Sequence, residues 1–360
     1  MNTRSVFSRG LWMAAVCAAA AQRAPAGDAV TIKRQFNPGE KVYIQQDSHI
    51  DQTIEMGPTT MKMKMRQLYG VWEAVKKSGG GTTDVELTFD RALQTLESPM
   101  MGNMKYDSDD PDNEENVPTL ANILQNVVGG TMTMNVGPDG KVIAFSGMDA
   151  IREKVASKAA ANMFWQQMKH EYTDDGARKK WGEGPLLAYP NKEVGVGDEW
   201  ESDQTSDVPQ VGTLLIATTY RLKEITSRDG RKVAVIATDQ TITRRADDDE
   251  DADATPRVQG SANGELVYDI ERGRVTHRTS KDSLKIQMPM PGAPADPEGN
   301  KPMMKAGIEI DTTVDVLSEK DRARQKDEMR RKIEERKRKA AAEEVEGDDD
   351  ENDDLEDIEE

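Results

Sequence analysis

The segment Val136–Gly147 reads VGPDGKVIAFSG, and Val267–Thr279, far downstream, reads VYDIERGRVTHRT. Each is an alternating apolar run, a tight turn closed by glycine, and a returning run. Pro138 presets φ for the first turn and Gly140 supplies the left-handed position. Each hairpin follows an acidic stretch that reads as a solvated loop, Asp107–Glu115 (DSDDPDNEE) in one case and Asp247–Asp253 (DDDEDAD) in the other. Further upstream each has a glycine–acid opening, Gly39-Glu40 before KVYIQQDSHI and Gly197-Asp198-Glu199 before Trp200, and a long hairpin turned by Ser78–Gly81 or Asp229-Gly230. The order opening, long hairpin, acidic loop, short hairpin is therefore written twice. A half made of hairpins cannot bury its apolar face alone, so the two must combine. The expected fold is mainly β (β-rich α+β). Two related antiparallel β-meander halves form a curved sheet, half-barrel or sandwich, with one or two helices between them.

Period-two alternation supplies the strands. Val42, Ile44, Ile50 and Ile54 fall on one side of the first. In TMKMKMRQLYGVW, Met61, Met63, Met65, Gln67, Tyr69 and Val71 share one face, and Lys62, Lys64 and Arg66 the other. Val85, Leu87 and Phe89 continue the pattern, as do Met132, Met134 and Val136, then Val142, Ala144 and Ser146. In the second half Leu214, Ile216, Thr218 and Tyr220 alternate, and Ile308–Leu317 reads as a last strand. Helical spacing appears at about 117–128, with Pro118 in its first turn, and at 148–172, where Met148, Ile151, Val155, Ala159 and Met163 recur behind a Ser146/Asp149 capping box. A further short helix is expected around Ala177–Trp181.

The chain ends differ from this body. Arg4 and Arg9 followed by Leu11–Ala21 (LWMAAVCAAAA) and Ala24-Pro25-Ala26 have the form of a secretory leader over residues 1–26, which predicts an exported protein, periplasmic or extracellular. The only cysteine, Cys17, lies inside that run without the small-residue context of a lipidation site, so lipoprotein anchoring is disfavoured. No later apolar run is long enough for a transmembrane span. Cleavage after Ala26 leaves no cysteine, and hence no disulfide, thiolate nucleophile or cysteine-bound metal. The leader carries three arginines and no acid, so 45 basic residues then face 66 acidic ones. That balance repels nucleic acid. The resulting division is leader 1–26, first half 27–176, second half 177–318, and 319–360 as a charged helix followed by a disordered acidic tail from Glu343 to Glu360. The helix rests on DRARQKDEMRRKIEERKRK, whose mixed charges at i,i+4 spacing suit a solvated helix.

Methionine is the most unusual feature. Met61, Met63, Met65, Met132 and Met134 would place thioethers on a sheet face, where they could hold an apolar ligand, bind copper(I), or fill a core. The core explanation is favoured. His49, His170 and His277 are scattered and lack metal-ligand spacing. The acidic runs lack the central glycine of a calcium loop, and no nucleophile elbow, phosphate loop or dinucleotide fingerprint is present. No catalytic residue, cofactor or metal site is therefore assigned.

The glycine–acid opening at Gly39, the Gly137–Gly140 hairpin, and Tyr189-Pro190 with Val196–Trp200 resemble marks of an uncharacterised family of exported bacterial β-rich proteins, a domain of unknown function, over about residues 30–318. A looser similarity is to periplasmic lipoprotein carriers, whose half-barrel cups acyl chains under a helix; by that likeness the 148–172 helix would be the cover. The function expected is non-catalytic binding or interaction outside the cytoplasm, with a lipid or a protein segment on the sheet. Copper(I) binding and a hydrolase with an unmarked site are the alternatives.

Overall fold

Long alternating runs without interior proline extend into long strands, and here most of them join one sheet. The computed structural model describes residues 29–99, 102–110, 118–138, 140–159, 165, 169, 172–178, 188–208, 211–245, 255–290 and 302–349. The first half contributes β1 (Val30–Thr31), β2 (Lys41–Met56), β3 (Thr59–Gly79), β4 (Thr82–Ser98), β5 (Gly102–Asp107), β6 (Thr131–Val136) and β7 (Val142–Ser146). Helix α1 (Pro118–Val127) precedes β6, and α2 (Met148–Ala159) and α3 (Asp174–Ala177) follow β7. The second half contributes β8 (Glu193–Val194), β9 (Glu199–Val208), β10 (Gly212–Arg228), β11 (Arg231–Arg244), β12 (Arg257–Asp269), β13 (Arg274–Pro289) and β14 (Met303–Leu317), followed by α4 (Glu319–Asp349).

The architecture is mainly β, as expected, and it resolves the choice between one sheet and two. Strands run in the order β7-β6-β4-β3-β2-β14-β13-β12-β11-β10-β9, with β5 beside β4 and a separate β1–β8 pair. This sheet is open and antiparallel throughout. Strand β14 joins the halves by pairing with both β13 and β2. Of the three edge strands, β5 and β7 are short, and β9 carries Glu199, Glu201 and Asp203, which discourage edge pairing.

The duplication is visible in register, irregularities included. Asn37–Glu40 and Gly195–Asp198 are equivalent turns, closed by Glu40 N–H to Asn37 O (2.9 Å) and Asp198 N–H to Gly195 O (3.0 Å). Gly39 and Gly197 both have positive φ, 81° and 93°. Gly39 N–H then donates to Val75 O, and Gly197 N–H to Leu222 O, so Val75 matches Leu222. One residue past each match a bulge inserts a lysine, Lys76 in β3 and Lys223 in β10. Across the next pairs Val85 matches Ile236, and Met134 matches Leu266. The short hairpins bulge at equivalent places, Ile143 in β7 and Thr276 in β13. The expected inward run of Val142, Ala144 and Ser146 is corrected by that bulge. The extra residue shifts the pleat, so Phe145 is buried and Ala144 and Ser146 are exposed.

Both halves bury the same face at the same end. In the first, Val71, Val85, Leu87, Met132, Met134 and Val136 pack under α1 and α2 through Ile123, Val127, Met148, Ile151 and Val155. In the second, Tyr220, Leu222, Ile236, Leu266 and Tyr268 pack under Val30, Ile32 and Val194. The 148–172 helix is described as far as Ala159, and the short helix lies at Asp174–Ala177. The leader, the 247–253 acidic loop, His170 and residues 350–360 lie outside the described residues.

The C-terminal helix differs from expectation. Rather than a solvated helix ending before an acidic tail at Glu343, α4 continues to Asp349 and is anchored to the sheet. Arg322 is 2% exposed; its Nε and Nη2 donate to Asp90 Oδ2 (3.0 and 2.7 Å), and Nη2 also donates to Asp109 (3.0 Å). Its guanidinium lies 4.6 Å from the Tyr43 ring centroid. Asp90 is the extra residue of a bulge in β4 that the second half lacks, and a bulge re-aims its side chain. The 107–115 loop was expected to be solvated, yet Asp107 and Asp110 are buried, against Arg91 and Arg336. Aspartates bury readily when bidentate arginines pair with them.

Candidate functional site

Pleating assigns every strand residue to a face, and register aligns the residues into rows across the sheet. On the face that carries both cores, the end remote from α1 and α2 holds three such rows. In the first, Met61, Ile54, Ala306, Ile286 and Val258 are successive neighbours. In the second, Met63, Gln52, Ile308, Leu284, Gly260, Ile242 and Ile216 follow one another. The third runs Met104, Leu96, Met65, Ile50 and Ile310, reaches Asp282 on β13, and turns polar at Gln240 and Thr218. The band crosses nine strands from β5 to β10, about 40 Å at 4.8 Å per strand, and is roughly 15–20 Å tall. Most of its side chains are half-buried, but Leu96 and Val258 are buried, and Val258 packs with Val211 and Leu214 into a small core against which Ile242, Leu284 and Ile286 lie; Lys62, Lys64, Lys285, Lys305 and Glu309 on the opposite face are exposed.

A fourth row separates this band from the buried cores. It consists of Gln94, Gln67, Ser48, Thr312 and Ser280, all uncharged hydrogen-bonding groups. Ser48 Oγ and Thr312 Oγ1 lie 3.0 Å apart. Gln67 and Gln94 each direct an amide N–H at Met65 Sδ, at 3.1 and 3.4 Å. A fifth row, with Val314, Arg278 and Leu266, begins the second core.

The five methionines singled out in the sequence fall into two groups. Met61, Met63 and Met65 stand together in the band. Met132 and Met134 are 1% and 3% exposed in the first core, where they fill space between β4 and the helices. Met132 is level with Leu87 and Glu73, and Glu73 is eight residues along β3 from Met65, roughly 26 Å at 3.3 Å per residue. The structure therefore does not assemble the five into one thioether site. The described part of the 148–172 helix, Met148–Ala159, taken as the cover of a lipid cup, sits over the core end through Met148, Ile151 and Val155 and not over the methionine band. What sequence reasoning missed is the contribution of β13 and β14, whose Leu284, Ile286, Met288, Ile308 and Ile310 continue the band. Their alternation was readable, but which strand lies beside β2 was not.

The remaining titratable groups are dispersed. His49 is exposed, and His277 Nδ1 lies 2.7 Å from Asp315 Oδ1; both are on the charged face. A buried ionic cluster joins Arg274 to Glu73 and Glu40, with Arg34 also on Glu73. It ties the N-terminal segment to both halves, between the two cores. Tyr189 stands beside it; burial pushes its hydroxyl above the ordinary tyrosine range. Among the described residues, no helix is long and apolar enough to cross a membrane.

Comparison with known proteins gives few bearings. No curated protein matches the sequence. Among solved structures, one titled for lipid–protein interactions in lipovitellin aligns over 79% of this chain and 26% of its own, at 8% identity and a TM-score of 0.40. The chain thus spans about a quarter of the lipovitellin chain. The translocator domain of autotransporter NalP from Neisseria meningitidis aligns over 78% of this chain and 89% of its own, at 12% identity and a TM-score of 0.20. An outer membrane channel from Pseudomonas putida F1 aligns over 79% and 97%, at 5% identity and a TM-score of 0.25. A family model does match, over residues 80–275, from the β3–β4 turn to the bulged hairpin of the second half. The chain belongs to a family of unknown function, DUF6263.

Proposed function

We propose that the protein is an exported, non-catalytic binding protein that holds the alkyl chain of an amphiphile on the half-buried apolar band of its sheet. The observation that carries this is the division of one face into a packed end, a neutral hydrogen-bonding row and a wide apolar band. The band spans about 40 Å by roughly 15–20 Å, and outside the Val211, Leu214 and Val258 cluster most of its apolar side chains are only half-buried. From β4 to β10 it lies on strands that are paired on both sides, so their backbone groups are already hydrogen-bonded. A peptide adding as a strand would use an edge instead. Methionines along β3 give an apolar surface that adapts to flexible chains. The Gln/Ser/Thr row beside it suits the polar end of the same molecule. Export rests on the leader-like residues 1–26.

The test is binding of dodecanol to the full chain, followed by calorimetry, with Met63→Gln/Ile308→Thr as the altered protein. Near-ultraviolet circular dichroism establishes that the variant keeps its fold. Saturable binding that the double substitution weakens at least tenfold supports the reading. Absent binding, or binding indifferent to both changes, refutes it.

A further inference from the structure

The apolar rows are interrupted by one acid. Asp282 stands in the third row, between Ile310 on β14 and Ala262 on β12, with Leu284 next along its own strand. Its Oδ1 is buried and has no hydrogen-bond partner. A side chain in that position costs stability, because a buried acceptor has given up water for nothing. Two residues further along β13, on the same face, is Ser280, and two beyond that is Arg278. Arg278 makes no ion pair or hydrogen bond with the described residues. The three form a polar track leading from the band across the neutral row. Among the described residues no other charged side chain lies on this face between the first and fifth rows, apart from Arg244. That residue is at the far end of β11, and its Nε donates to Val211 O at 2.7 Å. The surfaces packed against Asp282 from β12 and β14 carry no titratable group; Arg278 is on its own strand and Asp311 on the opposite face. Burial pushes the Asp282 carboxyl up, with Arg278 and a hydrogen bond from Ser280 opposing it.

Resting on the proposed alkyl-binding role of the band, we infer that Asp282 anchors the ligand's head and that the first polar group beyond the alkyl chain is a protonated amine. The carboxylate lies where the chain ends, so the group beside it must donate. A phosphate or carboxylate in that place would meet Asp282 as a like charge. Any acidic part of the head belongs further on, across Ser280, where Arg278 is available. Asp282 is partly exposed, so an amine arriving from the open side reaches it after rotation about Cβ–Cγ.

The test compares dodecylamine, dodecanol and dodecanoate, below their aggregation concentrations, on the full chain and on Asp282→Asn. The chain carries a net charge of −18, so any amine is attracted to it diffusely. One substitution barely alters that background, which leaves the change on Asp282→Asn as the specific signal. A charge-assisted hydrogen bond predicts dodecylamine at least tenfold tighter than dodecanol, and a loss of about that factor in Asp282→Asn with dodecanol unchanged. Dodecanoate should bind more weakly than dodecanol, and its affinity should rise in the variant. An amine-to-alcohol ratio that survives Asp282→Asn, or dodecanoate binding as tightly as the amine, overturns the inference while dodecanol binding leaves the band's role standing. Failure of all three to bind overturns both.

Discussion

Replacing Arg322 with alanine should release α4 from the sheet while leaving the sheet folded. The guanidinium makes three charge-assisted hydrogen bonds, two to Asp90 and one to Asp109, and covers the Tyr43 ring. Removing one partner of a buried ion pair typically costs about 3–5 kcal/mol, mostly through the charge left behind. Here neither aspartate is abandoned: Lys326 remains on Asp90 at 2.9 Å and Arg91 on Asp109 at 3.3 Å. The cost therefore falls toward about 3 kcal/mol, or roughly a hundredfold in the docking equilibrium. Other described contacts of α4 lie further along it or are exposed. Ile333 is buried and Arg336 pairs with Asp110, but the Lys41–Glu319 bridge is exposed and contributes little. Limited trypsinolysis reads the effect, because α4 is rich in Lys and Arg and cleavage of a locally opened segment follows its population. Cleavage within 319–339 should accelerate by up to about a hundredfold, with Arg322→Lys between wild type and alanine, since lysine keeps the charge but lacks the fork. Unchanged cleavage would show that the helix is held elsewhere. Equal acceleration within the strands would show that the anchor supports the whole fold.

The same anchor should open in acid. Burial raises the Asp90 carboxyl, but hydrogen bonds from Lys326 and Arg322 outweigh it and hold the group below its ordinary value. Its contribution is thus complete above the unfolded value of about 4 and lost as pH falls through the lower folded one; trypsin is inactive there, so pepsin cleavage in α4 between pH 4 and 2 reports it. Asp282 has the opposite sign. Its carboxyl is raised in the fold, so ionisation penalises the native state above that value, and Asp282→Asn should stabilise by about 1 kcal/mol at pH 7 and not at pH 3 in urea titrations. Met134→Ala and Leu266→Ala occupy equivalent places in separate cores. Each should cost about 2–5 kcal/mol and the pair should add within about 0.5 kcal/mol. Strong coupling would mean that the two cores are one.

The repeated punctuation was legible because strand pleat and positive-φ glycines are local properties: Gly39, Gly140, Gly197 and Gly273 each turn the chain where the sequence places the turn. Strand order was not local. Whether β14 lies beside β2 depends on register across more than two hundred residues, so the apolar band showed in the sequence as Met61, Met63 and Met65 alone. Helix α4 was misjudged for a related reason. Its i,i+4 charge pairs are those of a solvated helix, and nothing near Arg322 announces that its partner is a bulged aspartate 232 residues earlier. The acidic loop was misjudged likewise, since Asp107 looks unburiable until Arg91 is placed beside it. Asp282 escaped notice because one acid in an alternating strand is unexceptional until its neighbours on β12 and β14 are known.

The most direct measurement is photo-crosslinking of the full chain with a diazirine-bearing alkyl probe, followed by peptide mapping. Adducts concentrated on residues 50–65, 282–288 and 304–310, and displaced by excess dodecanol, are the predicted result. Adducts confined to the segments over the packed cores, around α1, α2 and residues 188–194, would contradict the account.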